Sequence, residues 1–246
     1  MGVVQLDYPR ISEPKDPALD SSYLAQSLGR HKFQGTDLIR TAGQNVNFDG
    51  ATVMDLACGI GTSTLQIARQ LLKARVIGID INPNAIRLAE TLNSTNKPAN
   101  LEFKVGDCYT LSGSALYITC FDSLHHFDHL NDLLQRIANA LEPEGIFYFA
   151  DLNRSYLSQV TTHTDGFIKR CYERREKGFE QLLTFLLDDP TPSNGRAITP
   201  EALTIISLMA SYTPEEVAEI LSRLGLDLLE IKTAEKRYEG VAVKRH

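Results

Sequence analysis

The feature that most constrains the fold of this chain is residues 51–68, where an apolar run, a turn of small residues and a helical pattern follow one another. The apolar run, residues 52–56, predicts a buried strand, and the turn after it contains Gly59 and Gly61. Beyond the turn, apolar side chains recur at helical spacing, at Leu65, Ala68, Leu71 and Leu72. Strand, small-residue turn and helix form the opening unit of a nucleotide-binding α/β domain. Small residues let a ligand lie against the turn backbone, where N–H groups at the helix start point at it.

Aspartates at the ends of the first three predicted strands narrow the class of ligand. Asp55 would repel a pyrophosphate, and Thr64 stands where a dinucleotide fingerprint has its third glycine. An acid there suits a cationic ligand without phosphate, such as the ammonium or sulfonium of S-adenosylmethionine. Asp80 lies roughly 20 residues past the turn, where an acid reaches ribose hydroxyls in both cofactor classes. Asp107 can accept a hydrogen bond from an adenine amino group while the N–H of Cys108 donates to the ring.

Five segments, taken in order, resemble the motifs of the class I S-adenosylmethionine-dependent methyltransferases. The matching segments are 55–61, 78–82, 106–108, 123–127 and 141–151. A C-terminal hairpin, expected over residues 226–233 and 238–244, also fits this family and is usually lacking in dehydrogenase domains. Five motifs in the family's order are far more specific than the glycine turn alone.

The resemblance implies which residues hold S-adenosylmethionine. The methionine part would lie against Asp55 and the glycine turn, the ribose would bind Asp80, and the adenine would lie at Asp107. Ala57 stands where the family often has glycine, which is a mild departure compatible with a tight turn. The complete set of predicted cofactor-binding residues is Asp55, Ala57, Cys58, Gly59, Gly61, Asp80, Ile81, Asp107, Cys108, Phe121 and Asp122.

The alternation of strand and helix patterns over residues 51–151 predicts a parallel sheet with right-handed crossovers. We therefore expect an α/β fold, namely a Rossmann-like, doubly wound, mostly parallel seven-stranded sheet with an antiparallel C-terminal hairpin, plus a helical cap or lid. The expected parts are an N-terminal helical lid segment (1–45), the cofactor-binding core (46–152), a helical insertion that caps the acceptor (153–212), and the last helix with the closing hairpin (213–246). The insertion could instead be an extra packing layer or a homodimer interface, and these uses can coexist.

Local signals predict where several elements begin. Asn82 before Pro83 is a helix start, and Thr213 begins a capping box with Glu216. A turn at residues 143–145 is expected to lead into a fifth strand. That strand is expected over 146–150, further helices over 21–43, 164–187 and 199–211, and a loop over 189–195.

Composition excludes several classes of protein. The chain has 246 residues, 43% of them hydrophobic, and a net charge of −6, so nucleic acid and anionic membranes are poor partners. Its N-terminus does not look like a signal peptide, and no apolar stretch reaches the roughly 18 residues of a membrane span. The four cysteines lack metal-type spacing, so we expect a reduced, cytoplasmic protein. Nothing else in the sequence requires a metal.

Methyl transfer from a sulfonium is a displacement for which the protein supplies position and sometimes a base. The candidate catalytic residues are His125, His126 and Asp122, which follow the fourth strand near the expected methyl group. The alternative for either histidine is that it orders its own loop. Asp151 and Asn153 could bind the acceptor or cap the next segment. Tyr8 and Tyr23 are candidate lid contacts over the cofactor, and Phe127 is expected to pack on the adenine side. Tyr156, Tyr172 and Tyr212 could line the pocket, and each tyrosine could instead simply pack.

The sequence therefore predicts a methyltransferase of small-molecule biosynthesis, acting on an oxygen, nitrogen or carbon of a small, partly apolar metabolite. One alternative keeps the cofactor and changes the reaction to a cyclisation or elimination that releases methylthioadenosine. A second alternative is a non-catalytic, cofactor-binding subunit. The identity of the products separates the first two hypotheses, and binding without turnover would favour the third.

Overall fold

In a computed structural model, the residues described are 9–13, 47–159, 162–177 and 200–245. Seven strands within them form one sheet in the order β3-β2-β1-β4-β5-β7-β6. The strands are β1 (Thr52–Leu56), β2 (Arg75–Asp80), β3 (Leu101–Val105), β4 (Ala115–Phe121), β5 (Leu141–Leu152), β6 (Leu226–Ala234) and β7 (Arg237–Lys244). The first five are parallel, and β7 pairs antiparallel with both β5 and β6. The expected doubly wound sheet with an antiparallel C-terminal hairpin is confirmed.

Six α-helices lie within the described residues. They are α1 (Thr62–Gln70), α2 (Pro83–Asn93), α3 (Leu130–Ala140), α4 (Thr162–Glu176), α5 (Pro200–Ala210) and α6 (Pro214–Arg223). Short 3₁₀ turns occur at Cys108–Thr110, Leu124–His126 and Arg154–Gln159. The helices expected over 21–43, the end of the one expected over 164–187 and the loop over 189–195 lie outside the described residues. No helix in the described part of the chain has both the length and the apolar character that a membrane crossing requires.

Both predicted helix starts are present, because each depends on neighbouring residues alone. The side chain of Asn82 accepts hydrogen bonds from the N–H groups of Asn84 and Ala85, at 2.9 and 3.4 Å. At α6, the Thr213 hydroxyl accepts from the N–H of Glu216, whose carboxylate accepts from the N–H of Thr213 in return. These caps satisfy amide groups that the first helical turn leaves without partners.

The beginning of β5 differs from the prediction. The sequence places a turn at residues 143–145 before the strand, whereas β5 already begins at Leu141. Ala115 pairs with Leu141 and Tyr117 pairs with Ile146, so the expected turn is an irregularity inside the strand. The chain pairs with β4 both before and after this irregularity. Proline and glycine in the local sequence indicate a turn but do not show this pairing.

The sheet is covered on both faces and its core is apolar. Helices α1 and α2 pack on one face, and their buried residues with those of the sheet include Ile67, Ile86, Ala89, Val76, Tyr117 and Tyr148. Helices α3 and α6 pack on the other face, with Leu133, Ile137, Val217, Leu221, Phe147 and Phe149. Each fully buried large apolar side chain contributes about 1.5–3 kcal/mol relative to exposure. This core holds the strand ends in fixed positions.

Candidate active site

The carboxyl ends of the parallel strands meet at one edge of the sheet, and acidic residues gather there. The register of β1 with β2 and β4 sets these ends side by side. The aspartates at or just beyond the strand ends are Asp55, Asp80, Asp107, Asp122 and Asp151. In open α/β sheets, ligands bind outside this edge.

The two glycines of the first turn face different surroundings. Gly61 has φ +76°, and a Cβ there would lie 2.4 Å from two ring atoms of Phe103 in β3. Gly59 has φ +55°, and a Cβ there would have no atom within 4 Å. Gly61 is therefore demanded by packing against β3, whereas Gly59 borders open space in which a ligand can approach the backbone.

Asp80 joins the end of β2 to the glycine turn. Its carboxylate accepts a 2.7 Å hydrogen bond from the N–H of Gly59 and a 2.8 Å bond from the N–H of Asn82. The next side chain, Ile81, is 67% exposed, which is unusual for a large apolar residue. An oriented acid, an open turn and an exposed apolar side chain therefore lie together at this edge, and this fits a nucleoside with a ribose and an adenine.

Asp55 is buried beneath the turn and held by two threonines. The hydroxyls of Thr64 and Thr119 each donate to its carboxylate at 2.6 Å. Burial raises the pKa of Asp55 to about 6, because desolvation outweighs the lowering by these two bonds, and the charge of Asp80 adds to the increase. A bound cation near Asp55 would favour its ionised form. Thr64, which departs from the dinucleotide fingerprint, thus has a defined partner, and sequence reasoning did not identify Thr119.

The predicted adenine end of the site is ordered by local hydrogen bonds. Asp107 accepts a 2.9 Å bond from the N–H of Tyr109 and thereby caps the 3₁₀ turn that begins at Cys108. Burial raises the pKa of the Cys108 thiol to about 12 and that of Cys58 well above its ordinary value. Both side chains are therefore neutral, and neither is a thiolate nucleophile.

Asp122, predicted both to be catalytic and to contact the cofactor, forms an ion pair with Arg237 of β7. Its backbone has φ +51°, so the chain turns sharply where it leaves β4. The preceding Phe121 packs edge-on against Tyr148, with ring centroids 4.9 Å apart. Arg237 was missed by sequence reasoning, since it lies 115 positions away and in no motif.

The two adjacent histidines have different environments. His125 is 4% exposed, and its ring Nδ1 lies 2.6 Å from one carboxylate oxygen of Asp151. The backbone N–H of His125 donates to the other oxygen at 2.8 Å. Burial alone lowers the pKa of His125, but the charge and hydrogen bond of Asp151 outweigh this and raise it to about 9. The His126 side chain is 38% exposed, and its Nδ1 contacts a carboxylate oxygen of Glu13. His125 thus orders the loop and His126 is the more accessible of the two.

An N-terminal segment, residues 9–13, packs beside the histidine loop. Glu13 has a 5% exposed side chain and accepts a 3.0 Å hydrogen bond from the hydroxyl of Ser207 in α5. Arg10 donates to the carbonyls of His125 and Phe127, at 3.3 and 3.2 Å. Neither Arg10 nor Glu13 was predicted to contribute to the site, because nothing in the local sequence links this segment to a loop more than one hundred positions later.

The remaining candidates mostly have structural partners. The Tyr212 hydroxyl donates to the Phe127 carbonyl at 2.6 Å, and that of Tyr172 donates to the Pro9 carbonyl at 2.9 Å. Asn153 accepts a 3.0 Å bond from the N–H of Ser155 and so caps the segment after β5. Phe127 packs edge-on against a neighbouring tyrosine ring and Tyr156 is half-buried, whereas Tyr8 and Tyr23 lie outside the described residues.

A family profile described as a methyltransferase domain matches residues 47–186, which is more than half of the chain. The chain belongs to this methyltransferase family. The resemblance inferred from five sequence motifs is thereby confirmed. The match includes the glycine turn, the aspartates at the sheet edge and the histidine loop, whereas Arg10, Glu13 and Arg237 lie outside it.

The sequence similarity to known methyltransferases extends over only part of the chain. The mitochondrial ubiquinone biosynthesis O-methyltransferase of Saccharomyces cerevisiae is 32% identical over 116 residues, which are 45% of this chain and 36% of that protein. The chain thus matches well under half of this methyltransferase.

Two solved methyltransferase structures share the fold over nearly the whole chain. A S-adenosylmethionine-dependent methyltransferase from Clostridium acetobutylicum has a TM-score of 0.60 and 15% identity, covering 92% of this chain and 98% of that one. The magnesium protoporphyrin IX methyltransferase of Synechocystis PCC 6803, solved with bound SAH, has a TM-score of 0.55 and 16% identity, covering 93% and 85%. At such identities the likeness establishes the fold.

Proposed function

We propose that this protein is an S-adenosylmethionine-dependent methyltransferase that acts on a small, partly apolar metabolite. The main support is the arrangement at the end of β2, where the Asp80 carboxylate is bonded to the N–H of Gly59 beside the exposed Ile81. This arrangement offers an acceptor for ribose hydroxyls and an apolar surface that a bound ring would cover. Membership of the methyltransferase family supports the same conclusion.

The proposed cofactor site follows the sheet edge from β1 to β4. Gly59 and the buried Asp55 would hold the methionine part, Asp80 the ribose, and Asp107 with Cys108 the adenine. The other proposed contacts are Ala57, Cys58, Gly61, Ile81, Phe121 and Asp122. When bound, the cofactor supplies an electrophilic methyl carbon, and the chain contributes position, orientation and the exclusion of water.

The proposed acceptor side lies at the histidine loop, because helix α5 packs against the 3₁₀ turn that contains both histidines. Several buried residues of α5 are apolar, including Leu203, Ile206 and Met209. His126 is the histidine that can face an acceptor, whereas His125 positions the loop and Asp122 is held at the sheet edge by Arg237. A relative named for ubiquinone biosynthesis and a neighbour named for protoporphyrin methylation agree with a partly apolar acceptor.

We also propose which segments cover the site, which class of substrate it accepts and where in the cell the protein occurs. Residues 1–45 would cover the cofactor and residues 153–212 would cap the acceptor, with a homodimer interface as a second use of the insertion. The net charge of −6 supports a small-molecule rather than a nucleic-acid substrate. The four cysteines are free thiols, which supports a reduced, cytoplasmic location.

The test is incubation of the purified protein with S-adenosylmethionine, with and without a metabolite extract, followed by mass spectrometry. We expect S-adenosylhomocysteine together with a product heavier by one methylene. Enzymatic release of methylthioadenosine would refute methyl transfer and favour cyclisation or elimination. Binding without turnover for every acceptor would instead favour a non-catalytic subunit.

A variant at the ribose site tests the cofactor assignment. Asp80→Ala should weaken S-adenosylmethionine binding by about 1–3 kcal/mol, since it removes hydrogen bonds to a charged group. Calorimetric titration measures the change, and unchanged affinity would contradict the assignment. Asp227→Ala is a control, because this aspartate is exposed on β6 and belongs to no part of the proposed site.

A further inference from the structure

Glu13, His125 and His126 form a cluster that no single stretch of sequence contains. One ligand atom from each residue lies within 4.8 Å of those of the other two. Glu13 and His125 are buried, and His126 opens toward the surface. The cluster lies where the N-terminal segment, the loop after β4 and helix α5 meet, which is the proposed acceptor side of the site.

The cluster has the supporting hydrogen bonds that orient metal ligands in proteins. His125 Nδ1 is bonded to Asp151 at 2.6 Å, so its Nε2 is the nitrogen that remains for a metal. A ligating histidine almost always donates its other ring N–H to a carboxylate or carbonyl in this way. One carboxylate oxygen of Glu13 accepts from the Ser207 hydroxyl at 3.0 Å, while the other is directed at His126.

Two buried carboxylates support the cluster. Asp151 is fully buried and the Glu13 side chain is 5% exposed, and each carboxylate contacts one of the two adjacent histidines. Buried carboxylates are stable only when they are paired, hydrogen-bonded or bound to a metal. Arg10 donates to the carbonyls of His125 and Phe127 and forms an ion pair with Asp128.

We propose that Glu13, His125 and His126 bind a divalent transition metal of the Zn²⁺ type. Two imidazoles and one carboxylate suit Zn²⁺ or Co²⁺, whereas Mg²⁺ and Ca²⁺ prefer sites made only of oxygen ligands. Three protein ligands leave a coordination position open, as in catalytic zinc sites. This proposal differs from the sequence-based expectation that no metal is required. Its ligands are two histidines and a glutamate from distant segments, which no local spacing brings together.

The metal site would also have a role in catalysis, and this role rests on the proposed methyltransferase function. A metal in this position would bind an acceptor hydroxyl and lower its pKa, so that the hydroxyl gives its proton to water. The oxygen would then form a bond to the methyl carbon as the carbon–sulfur bond of S-adenosylmethionine breaks, and S-adenosylhomocysteine would leave. His126 would then be a metal ligand rather than the base. Metal binding itself requires no methyl transfer, so it is measured separately.

The experiment uses the full chain, freed of metal by chelation and dialysis. It is titrated with Zn²⁺ by calorimetry and with Co²⁺ by visible absorption, which reports the coordination of the ion. We expect one equivalent of either metal to bind. His126→Gln and Glu13→Gln should each lower the affinity at least tenfold, and Asp151→Asn, which removes the support of a ligand, by about 10–100-fold.

A neighbouring histidine provides the matched control. His129 is exposed and belongs to the same loop but not to the cluster, so His129→Gln should bind both metals like the unaltered chain. His126→Gln changes an exposed side chain, and its unfolding temperature shows whether the fold is retained. The proposal is overturned if the unaltered chain binds no equivalent of metal, or if Glu13→Gln and His126→Gln bind as it does.

Failure of this inference is distinguishable from failure of the proposed function. S-adenosylmethionine binding is measured on the metal-free chain in parallel. Cofactor binding without metal binding removes the metal site and leaves the methyltransferase proposal standing. Metal binding without cofactor binding would remove the methyltransferase proposal and leave the metal site standing.

Discussion

Replacement of Gly61 by alanine separates the packing of the glycine turn from its contact with a cofactor. The backbone at Gly61 has φ +76°, a conformation that costs an alanine about 1–2 kcal/mol. The added Cβ would lie 2.4 Å from the Phe103 ring, which is 7% exposed and packed in the core. Overpacking of this kind costs about 1–3 kcal/mol, and loss of glycine's freedom in the unfolded chain offsets about 0.4–1 kcal/mol. The expected loss of unfolding free energy is therefore about 2–4 kcal/mol.

Gly59→Ala is the matched comparison, since it has the same chemistry two residues away. Its φ of +55° carries a similar conformational cost, but the new Cβ meets nothing within 4 Å. Its stability should fall by only about 1 kcal/mol. Because Gly59 borders the proposed cofactor space, this variant should instead lose affinity for S-adenosylmethionine.

Urea unfolding followed by circular dichroism measures the stability of both variants, and calorimetry measures cofactor binding. In a double-mutant cycle, Phe103→Leu should recover part of the loss in Gly61→Ala, with a coupling of about 1–3 kcal/mol. Equal stability losses for the two glycine variants, or no coupling to Phe103, would refute the assignment of Gly61 to packing.

Three further predictions follow from particular contacts. Ala57→Gly should raise the unfolding free energy by roughly 0.5–1 kcal/mol in thermal or urea unfolding, because Ala57 has φ +51°; a loss would mean that this turn is not strained. The pKa of Asp55 is raised from 3.8 to about 6, so the contribution of this group to the unfolding free energy is full below pH 3.8 and is lost as pH rises through about 6. Asp55→Asn should therefore reduce the fall in unfolding free energy between pH 4 and 7. An unchanged slope of unfolding free energy against pH would contradict the burial argument. Thr213→Ala should cost about 1 kcal/mol through loss of the α6 cap while Thr213→Ser costs much less, and equal losses would show that the threonine methyl matters more than the hydroxyl.

The parts of the fold that sequence predicted well depend on near neighbours. The helix starts at Asn82 and Thr213 are made by residues within three positions, and strands β1 to β4 follow from apolar runs bounded by turn residues. The edge of acids follows as well, because parallel strands bring their carboxyl ends together. The sequence predicts a turn before β5, whereas the structure has an irregularity inside this strand. Only the pairing with β4 shows that the strand continues across residues 142–145.

The sequence by itself determined the class of fold, the family and the positions of the motif residues, because these depend on periodicity and short spacing. The tertiary structure decided what several of those residues do. It placed Gly61 against Phe103, and it showed that His125 is buried against Asp151 while His126 meets Glu13, 113 positions away. Such contacts arise when packing of the sheet and helices brings distant segments together, and no local pattern encodes which side chains then meet.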